Sequence, residues 1–262
     1  MIGNGHHIKF GRTSSETTGW DMSFEKEFDR ADNNFPTLIN WLESLERTAV
    51  IDADLRKRFV PRQATDEQIN ILIECAVSLA VRGPLNREAS VSLAEQLRGP
   101  LPERERNSLI GANMYRSQRM IVDSIDCRGK FAVVYSPGPE FIFGDGFFHN
   151  VRVVTNPPFS PRIFVPITPL ISVMVSRPAS FATEPRISTL VLTEDEVEIC
   201  NRTVQIYSRN AIFYRSHKPI LVEEFQAGKH MEYSDFGNPI DSLFNSMPGV
   251  AVRSNVLGFP IF

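Results

Sequence analysis

From residue 24 to residue 45 apolar side chains recur at Phe24, Phe28, Phe35, Leu38, Ile39, Leu42 and Leu45. Steps of mostly three or four place these on one stripe, which predicts amphipathic helix facing a core. Pro36 is expected in the first turn of a second helical piece, where its missing N–H costs least. Thr65-Asp-Glu-Gln68 has the form of a capping box, with Thr65 at the helix start and Gln68 reaching back. Ile69 to about Val81 is apolar nearly all round and reads as a central buried helix. Gly83-Pro84 ends it, Asn86 is expected to cap another helix through Leu97, and Gly99-Pro100 stops that one. Pro102 opens a long segment to about Cys127, closed by Arg128-Gly129, the last of four helical pieces.

The texture changes at Lys130. Phe131 to Tyr135 is a β-favouring run, Pro137-Gly138-Pro139 signals a turn, and Glu140 to Phe143 reads as the returning strand of a hairpin. Val151 to Val154, Ile163 to Ile167 and Leu170 to Val175 continue the pattern. The prolines among them, 157, 158, 161, 166 and 169, suit edges and bulges, so an irregular antiparallel-type sheet is expected. Thr193-Glu-Asp-Glu196 is a second capping box, opening a helix to about Arg209. Residues 1–22 have no clear period and suit an extended arm or a short edge strand. From Phe225 onward Gly, Asn, Pro and Ser predict an irregular C-terminal tail. The fold class is α+β in a single domain over 1–262: helical 24–128, β-rich 130–176, helical again in 193–212, with the tail at 225–262. Internal repeats and long linkers are lacking.

Composition sharpens this picture in three respects. A 42% hydrophobic and 23% charged chain of 262 residues can bury a sizeable core, and most of its 19 Phe belong there. The net charge of −3 gives no global attraction to nucleic acid or anionic membrane, although a local basic patch stays open. Arginines outnumber lysines 22 to 6, a balance suited to bidentate contacts with carboxylate or phosphate, or simply to a GC-rich genome. Cys75, Cys127 and Cys200 are odd in number, far apart and without a C-x-x-C pair, as expected of reduced thiols in the cytoplasm. The N-terminus lacks a signal-peptide pattern, and nothing reaches the roughly 18 apolar residues of a membrane span, so a soluble protein is expected.

Candidate chemistry is sparse. In Phe143-Gly-Asp-Gly-Phe-Phe-His149, Asp145 and His149 could form an acid–base pair or part of a metal site. The same motif suits a Gly-Asp-Gly turn whose Asp bonds backbone, its glycines allowing positive φ or close approach. Arg82, leaving the central helix, could clamp an anion or cap the helix's last carbonyls. His6-His7 with Lys9 offers ligands, but neighbours on a strand face opposite ways. Arg98, Arg104, Arg106, Arg116 and Arg119 with Tyr115 form a basic run, which ion pairs on a solvated helix explain more simply. Phosphate-loop, dinucleotide, H-E-x-x-H and G-x-S-x-G motifs are absent. No cofactor is indicated; a divalent metal stays open without a ligand motif, and protein partners and oligomeric state are unknown.

Ala80-Val-Arg-Gly-Pro84, Glu140-Phe-Ile-Phe-Gly-Asp145, Phe159 to Ile167, and a late helix carrying Asn201 ahead of Ile212-Phe-Tyr214 together resemble an uncharacterised bacterial family, domain of unknown function 4238. The resemblance spans roughly residues 24–220 and implies that Arg82, Asp145 and Asn201 occupy recurring polar positions. Gly144-Asp145-Gly146-Phe147 stands where members carry Ser-Asp-x-Pro. Two expectations follow. One is an intracellular hydrolase or nuclease-like effector, toxin-like or defence-associated, with Asp145 as acid, base or metal ligand, His149 or His6-His7 auxiliary, Arg82 the anion clamp and Asn201 a fourth site residue. The other is a non-catalytic binding or regulatory protein whose polar residues are structural.

Overall fold

The computed structural model describes residues 6–9, 28–151, 161–177, 183–231 and 238–251. In chain order the elements are β1 (His6–Lys9), α1 (Asp29–Ser44), α2 (Leu55–Arg58), β2 (Val60–Arg62), α3 (Asp66–Arg82), α4 (Pro84–Arg98) and α5 (Glu103–Ile125). There follow β3 (Lys130–Tyr135), β4 (Phe143–Gly144), β5 (Arg162–Thr168), β6 (Ile171–Ser176), β7 (Thr183–Glu184), β8 (Ile187–Val191), α6 (Glu194–Tyr207), β9 (Ala211–Tyr214), α7 (Glu223–Gln226), α8 (Asp241–Ser246) and β10 (Val250–Ala251). The fold is α+β. No single helix among the described residues is long and apolar enough to cross a membrane.

A mixed five-stranded sheet of order β2-β8-β3-β6-β5 forms the centre, with β3 and β8 parallel and the other pairs antiparallel. Along β3 the side chains alternate between two cores. Phe131, Val133 and Tyr135 meet α1, α3 and α5, while Ala132 and Val134 meet α6 and the C-terminal helices. A sheet covered on both faces has no polar side, which is why β3 and β6 read as nearly continuous apolar runs, broken inside β6 by the buried Ser172. Both expected capping boxes are present, at Thr65 with Gln68 and at Thr193 with Glu196. α3 is the central helix, with nine residues buried.

Proline behaves as the sequence suggests. Pro61 and Pro166 lie in the edge strands β2 and β5, and the β5–β6 register shifts between Pro166 and Thr168. The outer edge of β5 is capped by a short strip. Phe164 N–H donates to Phe148 O at 2.9 Å, Asn150 N–H donates to Arg162 O at 3.1 Å, and His149 bridges Ile163.

Several expectations need correction. The hairpin from 131–135 to 140–143 does not form, because both edges of β3 are taken by β6 and β8. The chain after Pro139 instead leads away to β4, which joins β9 and β1 in a second sheet of order β1-β9-β4. Strand β8 lies outside the expected elements: Ile187-Ser-Thr-Leu-Val191 packs Ile187 and Leu190 into the two cores. Pro36 lies inside one continuous α1 rather than opening a second piece, leaving one intrahelical bond unmade. α4 begins at Pro84, and Asn86 does not cap it; its Nδ2 donates to Ala80 O at 2.8 Å and closes the α3–α4 corner. The tail contains α7, α8 and β10 among its described residues. Of the N-terminal arm only β1 is described, and of the strand expected over 151–154 only Val151.

Candidate functional site

Asp145 lies just after β4, where the chain presses on the end of α6. Its flanking glycines make that approach feasible. A Cβ at Gly144 would lie 1.9 Å from Ser208 Oγ, and one at Gly146 would lie 2.0 Å from the Tyr207 carbonyl oxygen. The described glycines with positive φ are Gly99, Gly228 and Gly249, so close approach, not left-handed backbone, explains the Gly-Asp-Gly step. The carboxylate accepts from the Arg209 N–H at 2.8 Å and from the Asn210 N–H and Nδ2 at 2.9 Å each. Asp145 thus closes the turn between α6 and β9, and Asp145 N–H donates to Ala211 O at 3.0 Å. Both of its oxygens are thus engaged by a segment more than sixty residues away.

His149 belongs to the strip over β5. Nδ1 is 3.1 Å from Val151 O, and a carbonyl only accepts, so Nδ1 carries the proton. Phe147 meets the ring edge-on with centroids 5.4 Å apart. Burial pushes the imidazole down to about 4, against the upward pull of the Val151 bond. It is neutral at pH 7, far from the value near 7 that a general base requires.

Arg82 turns toward α1. Its Nη1 and Nη2 donate to the Asp32 carboxylate at 2.9 and 2.6 Å, Nε donates to Ser78 O at 3.3 Å, and the guanidinium lies 5.0 Å over the Phe28 ring. This fork is already filled by a carboxylate, and Nε caps a helix carbonyl as well. Asn201 is buried in α6. Its Oδ1 accepts from Ile142 N–H at 3.0 Å and its Nδ2 donates to Glu140 O at 2.9 Å, pinning residues 140–142 to the helix. No hydrogen bond or ion pair joins any two of these four residues.

Arginine elsewhere serves the same purpose. Arg58 donates both terminal nitrogens to Glu196, at 2.6 and 2.8 Å, and reaches Val191 O at 2.9 Å, tying α2 to the start of α6. Burial pushes the Glu196 carboxyl up, but the Arg58 guanidinium and the Thr193 donors outweigh it and leave it below its usual range. Arg162 pairs with Asp241, Arg186 with Asp66, and Arg209 with Glu88. In the basic run, Arg98 pairs with Glu105 and Arg106 with Glu95, linking α4 to α5 rather than one helical turn to the next.

One concave feature lies apart from these clamps. α1, α3 and α5 enclose a cleft of about 590 Å³ lined by Arg30, Glu74, Tyr115, Gln118, Arg119 and Asp123, with Ala31 and Val122. Glu74 pairs with Arg30 at 3.0 Å, and Arg119 lies 5.8 Å over the Tyr115 ring. Tyr115 and Arg119 stood in the basic run; Arg30, Glu74, Gln118 and Asp123 carried no local motif and come together only when α1 and α5 pack against α3. Among the described residues no group of three His, Cys, Asp or Glu side chains could hold a metal ion. The His6-His7 pair lies in β1, opposite Tyr214 and Phe213 of β9. No family model, curated protein or solved structure matches this chain, so its chemistry has to be judged from these residues alone.

Proposed function

We propose that this chain is a non-catalytic binding or regulatory protein, in which the polar residues suggestive of catalysis hold the fold together. One observation carries this: three donors from Arg209 and Asn210 hold both oxygens of the Asp145 carboxylate, which ties it to the α6–β9 turn. The occupied Arg82 fork and the low His149 pKa support the same conclusion. Kinship with the uncharacterised bacterial family, and a cytoplasmic setting, belong to the proposal. The first rests on the sequence resemblance alone, and the second is supported by the free, buried thiols of Cys75 and Cys200.

The test compares wild type with Asp145→Asn for phosphodiester and ester hydrolysis with divalent metal, and for growth arrest on expression in a bacterial host. No activity above buffer, and equal growth, are expected. A turnover that disappears in an Asp145→Asn protein that circular dichroism shows still folded at the assay temperature would overturn the proposal and restore the hydrolase or nuclease alternative.

A further inference from the structure

The α1–α3–α5 cleft has a layered polarity that specifies a ligand. Its volume of about 590 Å³ falls within the roughly 300–1,000 Å³ of small-molecule sites. The floor is rich in acceptors. Glu74 is only 16% exposed, and Gln118, which lines the same cleft, has its Oε1 buried without any hydrogen-bond partner. The rim carries cations: Arg30 is 80% exposed, and Arg119 stands over Tyr115 with no carboxylate paired to it among the described residues. A buried carbonyl oxygen left unbonded is destabilising, and a donor in the cleft that draws the Gln118 amide toward it removes that penalty.

We infer that this cleft binds a small zwitterion of the amino-acid or short-peptide class. Its ammonium group descends to Glu74 and Gln118 Oε1, and its carboxylate stays at the rim against Arg119. A purely anionic ligand would meet Glu74 at the floor, and a purely cationic one would meet Arg30 and Arg119 at the entrance. A molecule with both charges matches both layers, and Ala31 and Val122 leave apolar wall for a modest side chain. The assignment rests on the binding role proposed above and gives that role a ligand.

Isothermal titration and thermal-shift measurements on the full chain test it. The probes are the twenty L-amino acids and alanyl-alanine, with propionate and ethylamine as singly charged controls, each to about 10 mM. Saturable binding of at least one zwitterion, and of neither control, is expected; free amino acids against the dipeptide distinguish the two ligand sizes. Gln118→Leu and Arg119→Gln should each weaken that binding by about tenfold or more. Gln118→Leu should melt no lower than wild type, since an orphaned acceptor is removed, and exposed Arg119→Gln carries the test if Gln118→Leu does not fold. Absence of zwitterion binding, equal binding of a control, or undiminished binding by the variants would each overturn the inference. None of these outcomes bears on the Asp145→Asn hydrolysis result, so the two proposals fail separately.

Discussion

Replacing Asp145 with alanine isolates the clamp from any chemistry. The substitution removes acceptors for two backbone N–H groups and one side-chain amide, at 2.8–2.9 Å. Hydrogen bonds to a charged acceptor contribute about 1.5–3 kcal/mol each, but this site is only half-buried and water replaces part of the loss, so about 1 kcal/mol each is a fair figure. Asp145→Ala should therefore cost about 3 kcal/mol, and at roughly 2–4 °C per kcal/mol for a chain of this size melting should fall by roughly 6–12 °C. Asp145→Asn keeps one carbonyl acceptor, turns its other position into a donor facing Asn210, and should fall between. Calorimetry or circular dichroism on the three proteins measures this. An Asp145→Ala protein melting within about 1 °C of wild type would refute the structural account, since three charge-assisted bonds cannot vanish at no cost.

Three further outcomes follow from the same geometry. Gly146→Ala should be more damaging than most glycine substitutions, by about 3 kcal/mol or more, because its Cβ would meet the Tyr207 carbonyl 2.0 Å away, a backbone atom that cannot rotate aside; soluble yield and melting temperature report it. Asn201→Leu leaves Ile142 N–H and Glu140 O unpaired in a buried region and should cost about 2–4 kcal/mol by urea unfolding, whereas a merely space-filling Asn would tolerate the near-isosteric change. His149 makes stability depend on acid: its folded pKa of about 4 lies below the ordinary 6.5, so only the unfolded chain gains a proton between them. That contribution is full above about pH 6.5 and declines as pH falls toward 4, by up to roughly 3 kcal/mol, so His149→Gln should lose less stability than wild type between pH 7 and pH 4.5. Equal acid losses in the two proteins would place the titration elsewhere.

Much of the fold was legible because it rests on local signals. Thr65-x-x-Gln68 and Thr193-x-x-Glu196 mark helix starts through bonds spanning three residues, and both helices begin there. Phe131 to Tyr135 and Ile171 to Val175 are apolar at every position but Ser172 because both faces of their sheet are covered. The strand partners were not legible. Pro137-Gly138-Pro139 has the composition of a hairpin turn, yet pairing is decided by which strands compete for the edges of β3, and parallel β8 arrives more than fifty residues later. Asn86 shows the same limit on a smaller scale: it is a good cap by type, but Pro84 can already open the helix, which frees the amide to bond Ala80.

The polar residues are harder for a deeper reason. Asp between glycines, Arg at a helix end and Asn facing a strand are the residue types needed both to activate a substrate and to hold two distant segments together, because both tasks use the same lone pairs and N–H groups. Only the identity of the partner separates them. For Asp145, Arg82 and Asn201 the partners are Arg209 and Asn210, Asp32, and residues 140 and 142, all supplied by this chain at separations of 50 to 65 residues. The converse holds in the α1–α3–α5 cleft. Gln118 sits in a helix without any motif; folding buries its carbonyl oxygen and supplies no donor, as it also does for Ser78 Oγ and Ser172 Oγ, but of these three residues Gln118 is the one that lines the cleft. A folded chain satisfies nearly all its buried polar atoms, so a missing partner at the floor of a cleft marks where a ligand can contribute binding energy. By that criterion the cleft, rather than the Asp145 turn, is where function should be sought.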